Sequence, residues 1–132
     1  MIEEQFAQLQ AYLRDEKGLL AEQQRLSTGG HLITVRSVPI RNGWSRPTTD
    51  VLFLAPPGFP GARPDSFWVS PQLRLANGAL PQNTNEGTAI PGDPVPARPF
   101  TWFSWHLQTW DPNKDKLATF YSAIMKRLIP AR

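Results

Sequence analysis

Apolar positions at the start of the chain recur at helical spacing: Ile2, Phe6, Leu9 and Leu13, with Glu3, Glu4, Gln8 and Arg14 between them. A basic last turn at Lys17 and a glycine at Gly18 end the pattern, so residues 1–17 are predicted to form an amphipathic helix. The period then changes. Leu19 to Leu26 and the β-branched stretch His31 to Val38 flank Ser27-Thr28-Gly29-Gly30, as the arms of a hairpin would. After a break at Asn42-Gly43, the run Val51-Leu52-Phe53-Leu54 suits a strand covered on both faces. Pro56-Pro57-Gly58-Phe59-Pro60-Gly61 cannot continue a ladder, because proline has no amide donor, and it reads as a rigid loop before the strand Phe67-Trp68-Val69.

From residue 77 to 99 the chain is poor in large apolar side chains and carries Pro81, Pro91, Pro94, Pro96 and Pro99, which predicts a long irregular crossing. An aromatic block follows, Phe100-Thr101-Trp102-Phe103-Ser104-Trp105-His106. Asp111-Pro112 reads as a cap and first-turn pair for a closing helix over 112–129, with Leu117, Phe120, Tyr121, Ile124 and Leu128 as its apolar stripe. The expected architecture is α+β: an N-terminal helix, a four-stranded antiparallel meander over 19–70, the proline-rich crossing, and a C-terminal helix. At 132 residues the whole chain, 1–132, is expected to be one domain.

Composition narrows the chemistry. The chain has no cysteine, which removes disulfides, thiolate catalysis and most structural zinc sites together. With only His31 and His106 as imidazoles, a zinc site would need carboxylates remote in sequence, so neither a metal nor another cofactor is expected. The net charge is +3 and the basic residues are scattered in ones and twos, which argues against nucleic acid. Early acids in Met1 to Gln10 without a basic flank and apolar run argue against a signal peptide, and no run approaches the ~20 apolar residues of a membrane span. A cytoplasmic protein is the expectation.

The sequence motifs carry a resemblance. Val51-Leu52-Phe53-Leu54-Ala55-Pro56-Pro57-Gly58-Phe59-Pro60, then Pro64-Asp65-Ser66-Phe67-Trp68, then Phe103-Ser104-Trp105-His106 with Trp110, then Asp115-Lys116-Leu117, resemble in order the motifs of bacterial ubiquitin-conjugating-enzyme-like (UBC-fold) proteins of prokaryotic family E. The likeness spans roughly residues 19 to 129. Phe59 stands for that pattern's tyrosine, Ser66 for its methionine, Phe103 for its first tryptophan, Trp105 for its arginine and Lys116 for its glycine. The resemblance implies the UBC/RWD-like fold and a part in a bacterial ubiquitin-like protein conjugation pathway. It implies as partners a ubiquitin-like protein, its activating enzyme and a JAB-type metalloprotease encoded in the same operon. In such folds the first helix docks the activating enzyme; a charged solvated face accounts equally for Glu3, Glu4, Arg14, Asp15 and Glu16.

In a typical conjugating enzyme a thiol between the crossing and the last helix accepts the ubiquitin-like C-terminus, and the corresponding segment here is 100–110. Its hydroxyls are those of Thr101, Ser104 and Thr109. On an extended segment Ser104 and His106 would share a side, as a hydroxyl nucleophile and its general base require, with Asp111 or Asp115 to orient the imidazole. Ser104 would then carry the partner as an oxyester. The plainer readings are a packed histidine among tryptophans, a serine bonding backbone, an Asp111 cap, and Asp65 bonding local backbone in its turn. Two functions follow from these readings: a transferase-like component without a catalytic cysteine, or a catalytically inactive adaptor that binds the ubiquitin-like protein or its activating enzyme. A hydrolase triad of Ser104, His106 and Asp111 is weaker, since no nucleophile elbow or oxyanion glycines accompany it.

Overall fold

In the computed structural model, which describes residues 2–132, a helix α1 (Ile2–Tyr12) runs into a π-helical turn, Leu13–Lys17. Gly18 stops it at φ +67°, with its amide donating to Arg14 O. The predicted helix is therefore present, although Met1 lies outside the described residues. Strands β1 (Ala21–Arg25), β2 (His31–Pro39), β3 (Thr48–Ala55) and β4 (Phe67–Ser70) form the expected antiparallel meander.

The sheet does not stop at four strands. Thr101–Phe103 forms β6, pairing antiparallel with β4, and Thr84–Asn85 forms the short β5 on its outer side, giving a six-stranded order β1-β2-β3-β4-β6-β5. The crossing predicted as irregular thus contains a strand, and the aromatic block enters the sheet. Alternation explains why: Thr101 and Phe103 are fully buried on the helical side while Trp102 turns to the other face, and Phe67 stacks on Phe103 at 4.6 Å.

Both faces of the sheet are covered. On one, Phe6, Leu9 and Leu13 of the first helix and Leu117, Phe120, Ile124 and Leu128 of the last meet Val51, Phe53, Phe67 and Phe103. On the other, Leu32, Leu52 and Trp68 pack with Leu26 and Ile90, backed by Phe100 and Trp102. The crossing supplies Ile90 and Phe100, and the Trp68 indole donates to Thr88 O at 2.7 Å, which holds it against that face. The uninterrupted apolar run of β3 follows from this double burial, since Val51 and Phe53 face one layer and Leu52 the other.

The last helix, α2, spans Leu117–Leu128 rather than 112–129. Asn113, Lys114 and Asp115 bring no apolar side chain to the core, and the Asp111–Asp115 stretch closes on itself. Asp111 Oδ1 accepts from Asn113 N at 2.9 Å, and Asp115 Oδ2 accepts from Asp111 N at 2.7 Å. Asp111 thus caps a separate turn, not α2. The start of α2 is served instead by Gln5 of α1, whose Oε1 accepts from Leu117 N at 3.1 Å. Arg127, 2% exposed, donates to Gln82 O and Arg132 O and lies 4.9 Å over the Phe103 ring; burial first, and the Arg132 charge second, push its pKa down to about 10. Among the described residues no helix is long and apolar enough to cross a membrane.

Candidate functional site

Beyond β6 the chain leaves the sheet and runs alongside the proline-rich loop that links β3 to β4. Proline at 56, 57, 60 and 64 removes amide donors, so the loop closes with few internal bonds, among them Phe59 N to Pro56 O and Ala62 N to Gly58 O. Its remaining polar groups reach across to residues 105–110. Ser66 N donates to Trp105 O at 2.9 Å, the Arg63 guanidinium to Leu107 O at 3.0 Å, and the Trp110 indole to Pro60 O at 2.7 Å. Phe59 packs on the Trp110 ring, with centroids 6.1 Å apart. The two loops are therefore fastened along their length by contacts remote in sequence.

Trp105 is tied on its other side to α2, its indole donating to Ala123 O at 3.1 Å, and the Arg132 guanidinium lies 5.7 Å from its ring. Between this segment and α2 opens a cleft of about 540 Å³ lined by His106, Gln108, Thr119, Ser122 and Lys126 among others.

The residues proposed from sequence fall into different places. Thr101 is fully buried, and its hydroxyl accepts from Leu73 N at 2.9 Å and donates to Leu73 O at 3.3 Å, so it is bound into the fold. Ser104 is half-buried; its amide donates to Asn83 O at 2.9 Å, and its side chain does not line the cleft. His106 does line it, with its side chain 56% exposed. Among the described residues, the Ser104 hydroxyl and the His106 ring make no hydrogen bond to each other. Asp111 and Asp115 belong to the turn described above and not to the imidazole.

The carboxylate that meets His106 is Asp65, 41 positions away, through Nδ1 and Oδ1. A carboxylate only accepts, so Nδ1 carries the proton and Nε2 is left as the ring's free position. The reading of Asp65 as a local backbone acceptor is thereby corrected: its side chain turns to the neighbouring loop. No sequence signal marks this pair, because Asp65 lies just before β4 and His106 just after β6, and the two meet only when these strands align antiparallel. Lys126 and Ser122 of the cleft were likewise hidden on the outward side of α2.

Chemically, the site offers a histidine oriented by a carboxylate, an ammonium at Lys126 and hydroxyls at Thr119 and Ser122, without a thiol anywhere in the chain. Among the described residues no group of three or more His, Cys, Asp or Glu side chains is placed to hold a metal ion. A family model described as prokaryotic E2 family E matches residues 8–131. No curated protein matches the chain, and no solved structure does.

Proposed function

The chain belongs to prokaryotic E2 family E, and from that premise we propose that it serves prokaryotic ubiquitin-like protein conjugation as a binding component, holding the ubiquitin-like protein or its activating enzyme without a covalent link of its own. The observation that carries this reading is the position of the hydroxyls. A chain without cysteine needs an activated hydroxyl to form an acyl intermediate, and activation requires a base within hydrogen-bond reach. Thr101 is committed to Leu73, and among the described residues neither Ser104 nor the cleft hydroxyls of Thr119 and Ser122 bond the His106 ring, which is turned to Asp65. The fastened loops and the cleft beside them instead form a preformed surface, which lowers the ordering cost of recognition.

A second reading rests on the His106–Asp65 pair. An imidazole whose Nδ1 is held by a carboxylate has Nε2 turned away from it, and Ser104, next but one in the chain, is the hydroxyl this reading would have it activate to form an oxyester. One experiment separates the two. The purified protein is incubated with activating enzyme, ubiquitin-like protein and ATP, then examined by size-exclusion chromatography and intact mass. Binding without added mass supports the adaptor. A mass increase that mild base removes and thiol reductant leaves, and that Ser104→Ala abolishes, overturns it in favour of the oxyester. Absence of both complex and adduct overturns both.

A further inference from the structure

On the opposite flank of α2 from the His106 cleft lies a groove of about 490 Å³, within the range of small-molecule sites. The end of α1, the turn after it, the end of β2 and the outer side of α2 all contribute walls. Leu19, Val38, Pro39, Met125 and Ile129 make the apolar surface, with Val38 buried and Met125 and Ile129 half-buried. Tyr12, 44% exposed, stands at the margin.

The charged groups in the lining are of one sign. Lys17 and Arg41 both reach the groove and no acidic residue does. Arg14, Arg36, Arg74 and Arg98 each pair with a carboxylate, whereas among the described residues Lys17 and Arg41 pair with none. Arg41 is also held at φ +64°, a left-handed conformation that a non-glycine residue seldom adopts. Tyr121 faces the same space as a phenol that stays protonated through the physiological range, because burial and then the neighbouring Tyr12 raise its pKa to about 12. It is a hydrogen-bond donor there.

We propose that this groove binds a small apolar acid, its aliphatic or aromatic body lying on Leu19, Val38, Met125 and Ile129 and its carboxylate between Lys17 and Arg41. An apolar cavity edged by unpaired cations and no anion fits a ligand with that division of polarity: it attracts an anionic polar end, gives a neutral one no ion pair and repels a cationic one. The site is independent of the partner-binding reading, since it uses none of the residues of the His106 cleft except Ser122, which borders both.

The test uses octanoate and its neutral counterpart 1-octanol, titrated into the full ¹⁵N-labelled chain and followed by amide chemical shifts. Octanoate is expected to move the amides of Leu19, Arg41, Met125 and Ile129 saturably, with binding that weakens as salt is added. Octanol should bind about ten-fold more weakly, and Lys17→Gln and Arg41→Gln should each weaken octanoate by about five- to ten-fold while leaving octanol unchanged. Both cations are exposed, so these variants keep the fold. The proposal is overturned by equal binding of the acid and the alcohol, by octanoate binding that survives Lys17→Gln/Arg41→Gln, or by shifts that are absent or fall elsewhere.

Discussion

If the proline-rich loop and the segment after β6 hold each other in place, their fastenings must be coupled. The clearest perturbation is Trp110→Phe, which keeps an aromatic ring against Phe59 and deletes only the indole donor to Pro60 O. Trp110 is half-buried, so water partly satisfies the freed carbonyl and the expected loss is about 1 kcal/mol. Arg63→Ala removes the bond to Leu107 O from an exposed side chain, and about 0.5–1 kcal/mol is expected. Each bond holds the loop in the place the other needs, so the second becomes weaker once the first is gone. The double variant should therefore lose less than the sum, with a coupling of about 0.5 kcal/mol or more. Urea unfolding of the wild type, both single variants and the double variant measures this, with unchanged m-values confirming a common unfolding reaction. Each kcal/mol corresponds to about 3–5 °C in Tm for a chain of this size. Hydrogen exchange at Ser66, whose amide bonds Trp105 O, should quicken most in the double variant. Additivity within about 0.3 kcal/mol, or an unaltered Ser66 rate, would refute the coupling.

Phe53→Ala removes a fully buried ring that packs on Phe120 at 5.5 Å, and thermal or urea unfolding should show a loss of about 3–5 kcal/mol. Between pH 10 and about 12 Tyr121 contributes a loss of stability, because it ionises in the unfolded chain before it does so in the fold, while Arg127, whose pKa burial pushes down to about 10, contributes in the opposite sense over the same range. In Tyr121→Phe that alkaline loss should shrink, as read by urea midpoints across the range. Gly43 sits at φ +96° with space for a Cβ blocked by Ala131 Cβ at 2.7 Å, so Gly43→Ala should destabilise by about 1–3 kcal/mol. Adding Ala131→Gly should restore the steric part and leave the backbone part, a partial rescue visible in Tm.

Elements with a local cause were legible from sequence. The Ile2–Leu13 stripe and Gly18 gave the first helix and its end, and the apolar run at Val51–Leu54 gave a strand covered on both faces, because periodicity and a left-handed stop act within a few residues. What stayed hidden depends on partners far along the chain. Thr101–Phe103 is a strand because Phe67–Val69 and Thr84–Asn85 pair with it on either side, and the first amide of α2, that of Leu117, is met by a glutamine of α1. Arg127, in the last turn of α2, is admitted to the core by carbonyls at Gln82 and Arg132, both supplied from outside the helix. The candidate site shows the same division. Sequence picked out the segment and His106, but it paired the histidine with Ser104 and the helix-start aspartates, whereas the fold supplies Asp65 from the other loop.

The constraint on residues 101–110 is correspondingly different from that on a thioester site. A nucleophile that is to be loaded and unloaded has to stand clear of the packing, with room for a tetrahedral intermediate and donors aimed at its oxygen. In this chain the first hydroxyl of the segment is inside the sheet, and the indoles of Trp105 and Trp110 each donate to a backbone carbonyl of a neighbouring element. Trp105, next to Ser104, gives that position to packing instead of charge. Side chains used in this way fix a surface in one shape. Fixing a surface favours recognition, because less conformational entropy is lost when a partner arrives, and it works against a covalent step whose geometry changes between substrate and intermediate. The proposed binding role and the fastened loops would then share one cause: with no thiol to present, the aromatic side chains of this segment are free to hold it still.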